Sequence, residues 1–204
     1  MKKTINMLSH ADSAQGQGVL SAYLEQTKLI KENLNDKYIL TYNKIKPGRI
    51  NHYHTINPGF LFFMHFLPKT TIKVGYVHFL PETVKTSLKL NKLSMAVFNK
   101  YMLYFYKSMD YIVVVNPYFI DRLAYYGVNK EAVTYIPNFV DEEKFYVIND
   151  KINLRKKYGL LTDKFTVFCA GQLQTRKGFF DFIECAKKLP NMQFVWAGGF
   201  SFGA

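Results

Sequence analysis

The chain has 204 residues, 49% of them hydrophobic and 17% aromatic, so it can bury a substantial core and is not a disordered polypeptide. Lysine and arginine outnumber aspartate and glutamate by 27 to 15, and the formal charge of +12 indicates a polyanionic partner. Only four of these 27 residues are arginines, whereas base-edge readout favours arginine, and no nucleic-acid-binding module is recognisable. We therefore expect no nucleic-acid partner, and weigh an anionic lipid surface against simple lysine-rich surface composition.

Strands alternate with helices along the first two-thirds of the chain. Short apolar strand patterns lie at Thr4–Ser9, Tyr38–Tyr42, His52–Ile56, Thr71–Phe79, Tyr111–Val115 and Val133–Ile136. Helical or short apolar segments lie between them, at Val19–Glu32, Gly59–Leu67, Leu93–Met109 and Pro117–Tyr126. This alternation predicts an α/β, doubly wound, Rossmann-like domain over residues 1–138.

A second strand–loop–helix–strand pattern occupies residues 165–199. The acids, lysines and weak helical pattern of residues 139–161 predict a linker, and residues 162–204 then begin a second Rossmann-like domain. Arg176, Lys177 and Gly178 stand where the helix of this pattern begins, and a helix N-terminus with adjacent cations favours phosphate. Because the chain stops at Ala204, directly after the second strand, we expect this domain to be incomplete.

Three candidate binding segments follow strands, and ligands of open parallel sheets lie beyond the carboxyl ends of strands. They are the Gly16-Gln17-Gly18 loop, His78 and the loop Gln172–Lys177. Taken singly, each has an ordinary explanation: the glycine loop can be a tight turn, His78 a core histidine, and the loop Gln172–Lys177 a solvated basic loop. Their coincidence at three strand ends favours a ligand site, and two domains with such groups suggest a cleft.

Metal-binding and disulfide patterns are not recognisable in the sequence. His52 and His54 would face the same side of a strand, but further ligands are missing, so we expect no metal and no cofactor. Cys169 and Cys185 are interpreted as reduced core residues of a cytosolic protein.

Two apolar segments bear on membrane contact. Gly59–Leu67 is far shorter than a membrane span, which predicts a core or interfacial helix. In Leu93–Met109 an apolar stripe is expected to pack on the sheet, and it consists of Met95, Phe98, Met102, Phe105 and Met109. Lysines flank this stripe and suit an anionic lipid interface; they are Lys85, Lys89, Lys92, Lys100 and Lys107.

Five segments together resemble a known family. They are INMLSHADSAQGQGVLSAYLEQ, VGYVHFLPETV, YIVVVNPYFIDRL, YIPNFVDEEKF and AGQLQTRKGFFDFIECAKKL. The chain resembles, over essentially all its residues, the first three-fifths of a retaining GT-B glycosyltransferase of family 4. The likeness is strongest to the Gram-positive enzymes that add the second hexose to glucosyl-diacylglycerol and so make the glycolipid anchor of lipoteichoic acid.

The resemblance implies roles for individual residues. Gly16 and Gly18 would let the backbone approach the donor, a UDP-hexose, and His78 matches the cleft histidine near the reacting carbon. Arg176 and Lys177 match the basic loop that holds the donor diphosphate. Many members carry arginine where this chain has Gln172, a departure for which Arg176 is a substitute. Metal is not required for the implied hexose transfer.

The resemblance also implies a place and a limit for the chain. A glycolipid acceptor and an anionic membrane surface would be its partners, at the cytoplasmic face of the cell membrane, with Lys89, Lys92, Lys100 and Lys107 facing the lipid. The chain ends before the family's paired-glutamate motif, so we expect a C-terminal truncation that is inactive alone. A hexosyltransferase for a surface polysaccharide or teichoic acid, and an inactive membrane-binding fragment, stay as alternatives.

Overall fold

The computed structural model describes residues 2–11, 18–85 and 90–200. The chain divides into two compact units, Met1–Phe139 and Val140–Ala204, each with a parallel sheet of its own. Residues 139–161, interpreted from the sequence as a linker, fall almost entirely within the second unit.

The first unit is built on a six-stranded, fully parallel sheet. Its strands are β1 (Lys3–Leu8), β2 (Tyr38–Tyr42), β3 (Ile50–Tyr53), β4 (Ile72–Val77), β5 (Tyr111–Val114) and β6 (Val133–Tyr135). They lie in the order β2-β1-β3-β4-β5-β6, so the chain runs outward from β1 to β2 and then returns to the other side of β1. The strand order therefore reverses between β1 and β3, where ligands of doubly wound sheets bind.

Among the described residues, five α-helices connect these strands, and their starting residues explain where some of them begin. The helices are α1 (Gly18–Asn33), α2 (Pro58–Met64), α3 (Pro81–Val84), α4 (Lys92–Lys107) and α5 (Tyr118–Tyr125). The Asn57 side chain accepts a hydrogen bond from the N–H of Gly59 and caps α2, with Pro58 as the first helical residue. Asn91 caps α4 in the same way through the N–H of Ser94.

The core of the first unit lies where α2 and α4 pack on the sheet. The ring of Tyr53 on β3 contacts Phe60 of α2 at 5.8 Å and Phe105 of α4 at 5.9 Å between centroids. Because one side chain contacts both helices, α2 and α4 lie side by side on the same face of the sheet. Met102 and Phe105 are buried within the predicted apolar stripe of α4, and its packing on the sheet is confirmed.

The strand and helix predictions of the first unit agree broadly with the structure, with two main differences. The third strand was predicted at His52–Ile56 but spans Ile50–Tyr53, because the chain turns away after His54 toward the Asn57 cap. Helix α3 was not predicted, since a single turn after Pro81 leaves no periodic pattern. Tyr106 was also missed as a core residue, although its buried hydroxyl donates to the carbonyl of Phe79 at 3.0 Å.

The second unit has two parallel strands and two helices in the described residues. They are α6 (Lys151–Lys157), β7 (Thr166–Ala170), α7 (Phe179–Lys188) and β8 (Gln193–Ala197). Edge-to-face ring contacts hold α7 on the strands: Phe182 lies 5.2 Å from both Phe194 and Trp196. Cys169 is a half-buried free thiol, but Cys185 is exposed on α7, so its prediction as a core residue was wrong.

Candidate active site

Aromatic and imidazole rings gather at the carboxyl edge of the first sheet. The parallel register pairs His52 with Val74 and Tyr53 with Gly75. The next residues along the chain, His54 after β3 and Tyr76 on β4, therefore lie beside each other. Residues two apart on a strand share a face, so His52, His54, Tyr76 and His78 point to one side of the sheet. Tyr53 points to the other side, where α2 and α4 lie.

These rings form a contiguous row, named here the histidine row. His54 stacks on Tyr76 with 4.9 Å between centroids and 16° between planes, and Tyr76 lies 4.8 Å from His78. His52 and His54 approach within 3.0 Å through Nδ1 and Nε2. The ring of Tyr23 on α1 meets His54 edge-on at 5.0 Å, so α1 covers this face of the sheet.

Burial keeps the histidine row uncharged. Desolvation, aided by the neighbouring imidazoles of His52 and His78, lowers the pKa of His54 to about 2. Desolvation, with a smaller effect of His78, lowers the pKa of His52 to about 4. The pKa of His78 falls to about 4 through desolvation. A neutral His78 can accept or donate a hydrogen bond but carries no positive charge at pH 7.

His78 has an unused hydrogen-bonding atom at this edge. Its Nε2 is buried and has no hydrogen-bond partner among the residues that the structure describes. The same holds for Nδ1 of His54. A buried polar atom without a partner is rare in a folded protein, so His78 is suited to meet a polar group of a ligand at the carboxyl end of β4.

The loop that follows β1 starts from a fixed position. Asn43, in the left-handed conformation (φ 49°), accepts from the N–H of Ser9 and donates to its carbonyl, both at 2.9 Å. The N–H of His10 donates to Thr55 Oγ1 at 3.1 Å, and the His10 ring lies 4.9 Å from Phe60 of α2. The ends of β1, β2 and β3 are thereby tied together at the point where the strand order reverses.

The predicted glycine loop lies mostly outside the described residues. Gly16 is not among them, and its predicted approach to a donor stays a prediction. Gly18 is the first residue of α1, and a β-carbon built there would meet nothing within 4 Å. Close packing therefore does not require glycine at residue 18 within the described part of the protein.

The second unit carries its loop between β7 and α7. The N–H of Gly171 donates to the carbonyl of Ala197 at 2.9 Å, and Trp196 Nε1 donates to the carbonyl of Gly171 at 2.8 Å. A β-carbon on Gly198 would lie 1.9 Å from the Gly171 oxygen, so the two strand ends approach too closely for any side chain at residue 198. Gln172, which is half-buried, directly follows Gly171 at this close approach of the two strand ends.

Arg176 and Lys177 lie in a 3-10 turn (Thr175–Lys177) that precedes α7 rather than in the helix itself. Gly178 follows in the left-handed conformation (φ 75°) as the N-cap of α7, without a side-chain cap. Both basic side chains are exposed, and neither forms an ion pair with another described residue. The turn and the helix N-terminus together present two free cations and uncapped N–H groups, an arrangement suited to an anion.

The predicted lipid-facing lysines are exposed where the structure describes them. Lys92, Lys100 and Lys107 lie on the outer side of α4, while Lys89 is outside the described residues. None of the described helices is long and apolar enough to cross a membrane. Groups of three side chains able to hold a metal ion do not occur among the residues described.

The histidine row adds two neighbours of His78 that the sequence argument did not assign to the site. Tyr76 and His54 contact each other and line the approach to His78. The signal was available in the two triplets His52-Tyr53-His54 and Tyr76-Val77-His78, in which ring residues alternate with residues that face the core. Sequence spacing alone did not say that the two triplets lie on adjacent strands in register.

Comparison with known proteins decides the family. A profile described as Glycosyltransferase Family 4 matches residues 33–144, more than half of the chain. The chain belongs to this family.

Individual relatives of this glycosyltransferase family 4 chain agree with the assignment. It is 42% identical over 204 residues to the alpha-galactosylglucosyldiacylglycerol synthase of Streptococcus pneumoniae, covering 99% of this chain and 54% of the relative. It is 30% identical over 105 residues to the processive diacylglycerol alpha-glucosyltransferase of Acholeplasma laidlawii, covering 51% of this chain and 32% of the relative. The chain thus spans about half the length, or less, of the curated relatives it matches.

Solved structures share the fold of this family 4 chain. The Anabaena protein HepE, in a crystal structure with UDP and glucose, superposes with a TM-score of 0.71 at 13% identity over 98% of this chain and 62% of HepE. The sucrose-phosphate synthase of Thermosynechococcus elongatus gives a TM-score of 0.70 at 14% identity over 96% and 62%. The predicted α/β fold of the GT-B type is confirmed by these likenesses.

Proposed function

We propose that this chain contributes to a retaining hexosyltransferase that moves glucose or galactose from a UDP-sugar to a glucosyl-diacylglycerol in the membrane. The observation that carries the proposal is the 42% identity to the Streptococcus synthase, which extends over 99% of the chain. The Acholeplasma relative, by its name, also uses a diacylglycerol lipid. UDP is proposed from the family resemblance and from HepE, whose crystal structure contains UDP and glucose.

In this proposal the first unit serves the reacting sugar. His78, neutral and with its Nε2 unpartnered among the described residues, would hydrogen-bond the hexose near the reacting carbon. The transition state of such a transfer is oxocarbenium-like, and its positive charge would be opposed by a charged imidazolium. Because its pKa is lowered, His78 stays neutral and adds no positive charge beside the transition state.

The second unit would serve the leaving group. The departing nucleoside diphosphate gains negative charge, and preorganised cations and N–H groups aimed at it lower the barrier. Lys177 and Arg176 beside the N-terminus of α7 supply such groups, with Arg176 replacing the arginine that many members carry at the position of Gln172. We propose no metal or cofactor in this reaction, so transfer is expected to persist in EDTA.

The membrane part of the proposal rests on exposed lysines. Lys92, Lys100 and Lys107 lie on the outer side of α4 and would contact anionic headgroups at the cytoplasmic face of the membrane. Each lysine near such a surface contributes about 1 kcal/mol, so a few of them hold a protein peripherally. Lys89 is proposed to join them.

The proposal is tested on the product of the whole coding region that contains these residues. Radiolabelled UDP-glucose and UDP-galactose are offered in turn with detergent-solubilised glucosyl-diacylglycerol, and labelled glycolipid is separated by chromatography. We expect transfer from one of the two donors. Transfer to a teichoic acid or polysaccharide acceptor, with none to the glycolipid, would replace this acceptor by the alternative one.

Lys177→Ala tests the donor site in the same assay. Loss of one preorganised donor to a developing charge typically costs about 3–4 kcal/mol of barrier, so kcat is expected to fall at least about a hundredfold. Lys188→Ala, at the opposite end of α7, is the matched control and is expected to leave kcat unchanged. Equal rates for both variants would remove Lys177 from the site.

A further inference from the structure

The excess positive charge of the chain is concentrated in one segment. Residues 37–109 contain eleven lysines and arginines but only one acid, so they carry +10 of the formal +12. That acid, Glu82, is already paired with Arg122 from outside the segment at 2.5 Å. The segment includes α2 and α4, the two helices that lie side by side on one face of the first sheet.

Helix α2 turns an aromatic surface outward within this basic segment. Its inner residues Phe60 and Met64 are buried in the core. Phe62 and Phe63 on its outer side, and Phe66 two residues past its end, are 62%, 46% and 71% exposed. Phe62 contacts Phe63 at 5.6 Å and Phe66 at 5.2 Å between ring centroids, so the three rings form one continuous aromatic patch.

Helix α4 continues the aromatic patch toward the lysines. At about 100° per residue, Lys92, Lys100 and Lys107 fall within a sector of about 80° on the helix surface. The exposed side chains of Leu93, Val97 and Tyr104 come next around the helix. Tyr101 follows them, and its hydroxyl donates to the carbonyl of Ile56, directly before α2. An apolar strip therefore joins the lysine sector of α4 to the aromatic patch of α2.

We propose that the aromatic patch inserts into an anionic bilayer, with the lysine sector of α4 against the headgroups. Apolar rings flanked by lysines on one surface are the chemistry of interfacial membrane binding. The inference rests on the proposed function, since it concerns the lipid acceptor. Phe60, on the inner side of α2, contacts His10 at the carboxyl edge of the sheet. Insertion would thus bring the candidate active site to the membrane surface where a glycolipid headgroup stands.

Charge selects the bilayer over a second copy of the chain as the occupant of this surface. A two-fold dimer would bring the same surface of each subunit together, and so place the exposed lysine sectors of two α4 helices against each other. Like charges brought together at an interface oppose association. An anionic bilayer instead supplies opposite charge around an apolar interior.

Vesicle sedimentation of the 204-residue chain tests the binding. Phosphatidylcholine vesicles with about one third phosphatidylglycerol are compared with pure phosphatidylcholine. We expect binding to the anionic vesicles, and a loss of affinity of at least about tenfold in Phe62→Ser/Phe66→Ser, because two apolar rings no longer enter the lipid. Tyr118→Ser on α5, where Tyr118 is 59% exposed, is the matched control and should bind like the unchanged chain. Undiminished binding of the double variant would overturn the proposal.

Quenching by brominated lipid tests insertion without weakening the surface. Phe66→Trp places an indole in the aromatic patch, and its emission is compared with that of the unchanged chain, whose only tryptophan is Trp196. We expect brominated phosphatidylcholine in the anionic vesicles to quench the added emission. Equal emission in brominated and ordinary vesicles would exclude insertion.

Two further measurements separate the remaining outcomes. Sedimentation velocity without vesicles should show the same mass for the unchanged chain and Phe62→Ser/Phe66→Ser. A dimer that the double variant dissociates would assign the aromatic patch to a second copy and overturn the bilayer proposal. Hexose transfer in detergent requires no bilayer. Transfer in detergent without vesicle insertion would overturn this inference alone, whereas absence of transfer would overturn the proposed function.

Discussion

Large aromatic side chains have different surroundings in the two units. In the first unit Tyr53, Phe105 and Tyr106 are buried between the sheet and its helices. In the second unit Phe165, Phe168 and Phe180 have more than half of their side chains exposed, and none of its described residues is fully buried. Both units nevertheless form the same parallel strand–loop–helix arrangement.

Local geometry and burial therefore contribute separately to this fold. The second unit is held by a few contacts between its strand ends and helix: the close approach of Gly198 to Gly171, the Trp196 hydrogen bond and the ring contact of Phe182 with Trp196. The first unit adds a core whose burial removes apolar surface from water. Because burial is the main favourable contribution to folding, we expect the first unit to unfold at higher urea than the second. Far-UV circular dichroism follows mainly the first unit, while fluorescence of Trp196 follows the second.

Acid is expected to affect the two units most differently and to destabilise mainly the first unit, because all five histidines lie in it. The pKa values of His52 and His78 fall to about 4, and that of His54 to about 2, against an ordinary value near 6.5. Below pH 6.5 these histidines bind protons in the unfolded chain but stay neutral in the folded chain. The stability that these three histidines contribute is therefore complete above pH 6.5 and is lost as pH falls toward 4, by about 1.4 kcal/mol per pH unit for each of the three.

Urea unfolding at pH 7 and pH 5 checks this expectation. The transition seen by circular dichroism should move to lower urea at pH 5, and further than the transition seen by Trp196 fluorescence. His54→Phe keeps a ring against Tyr76 but cannot titrate, so its pH dependence should be shallower. Identical circular dichroism transitions at the two pH values would show that the histidine row is not held neutral by burial.

Removal of one ring from each unit should have unequal effects. Phe105→Ala empties a fully buried position against Tyr53 and is expected to lower the free energy of unfolding of the first unit by about 3–5 kcal/mol. Phe168→Ala removes a ring that is 63% exposed on β7 and should change stability by less than about 0.5 kcal/mol. Urea unfolding by both probes measures the two changes. A large effect of Phe168→Ala would mean that its ring is covered in solution.

A smaller effect is expected at the strand crossing of the second unit. Gly198→Ala would place a β-carbon 1.9 Å from the Gly171 oxygen, and the strand ends must separate, at about 1–3 kcal/mol. The neighbouring Gly199→Ala meets nothing within 4 Å and is the matched control. Only the Trp196 transition should move, and only in Gly198→Ala. A shift of the circular dichroism transition as well would contradict the separation of the two units.

Most of the fold could be predicted from the periodicity of apolar residues in the sequence and from the positions of strand ends. β-Branched runs such as Tyr111–Val115 identify buried parallel strands, and β5 is such a strand. His78 and the loop Gln172–Lys177 were predicted as candidate site residues because ligands of such sheets bind beyond the carboxyl ends of strands, and their roles stay predictions. The prediction of a core role for Cys185 failed because sequence spacing does not say which side of α7 has a partner.

The neighbours of His78 could not be predicted from the sequence, for a different reason. The histidine row depends on the register between β3 and β4, and register is a property of paired strands rather than of either strand alone. The aromatic patch was likewise not predictable, because the apolar run that contains it has a buried inner side and an exposed outer side but no alternating pattern. Both features required the positions of neighbouring elements.

The short contact between His52 and His54 has a consequence for where hydrogens reside. At 3.0 Å, one of the two nitrogens must carry a hydrogen and the other must not. If His52 donated, His54 would carry its hydrogen on Nδ1, which is buried and lacks a partner among the described residues. Leaving a buried N–H without an acceptor is costly, so the favoured arrangement has His54 donating from Nε2. Both rings then hold the same tautomer, with hydrogen on Nε2, and the pair has a fixed direction along β3.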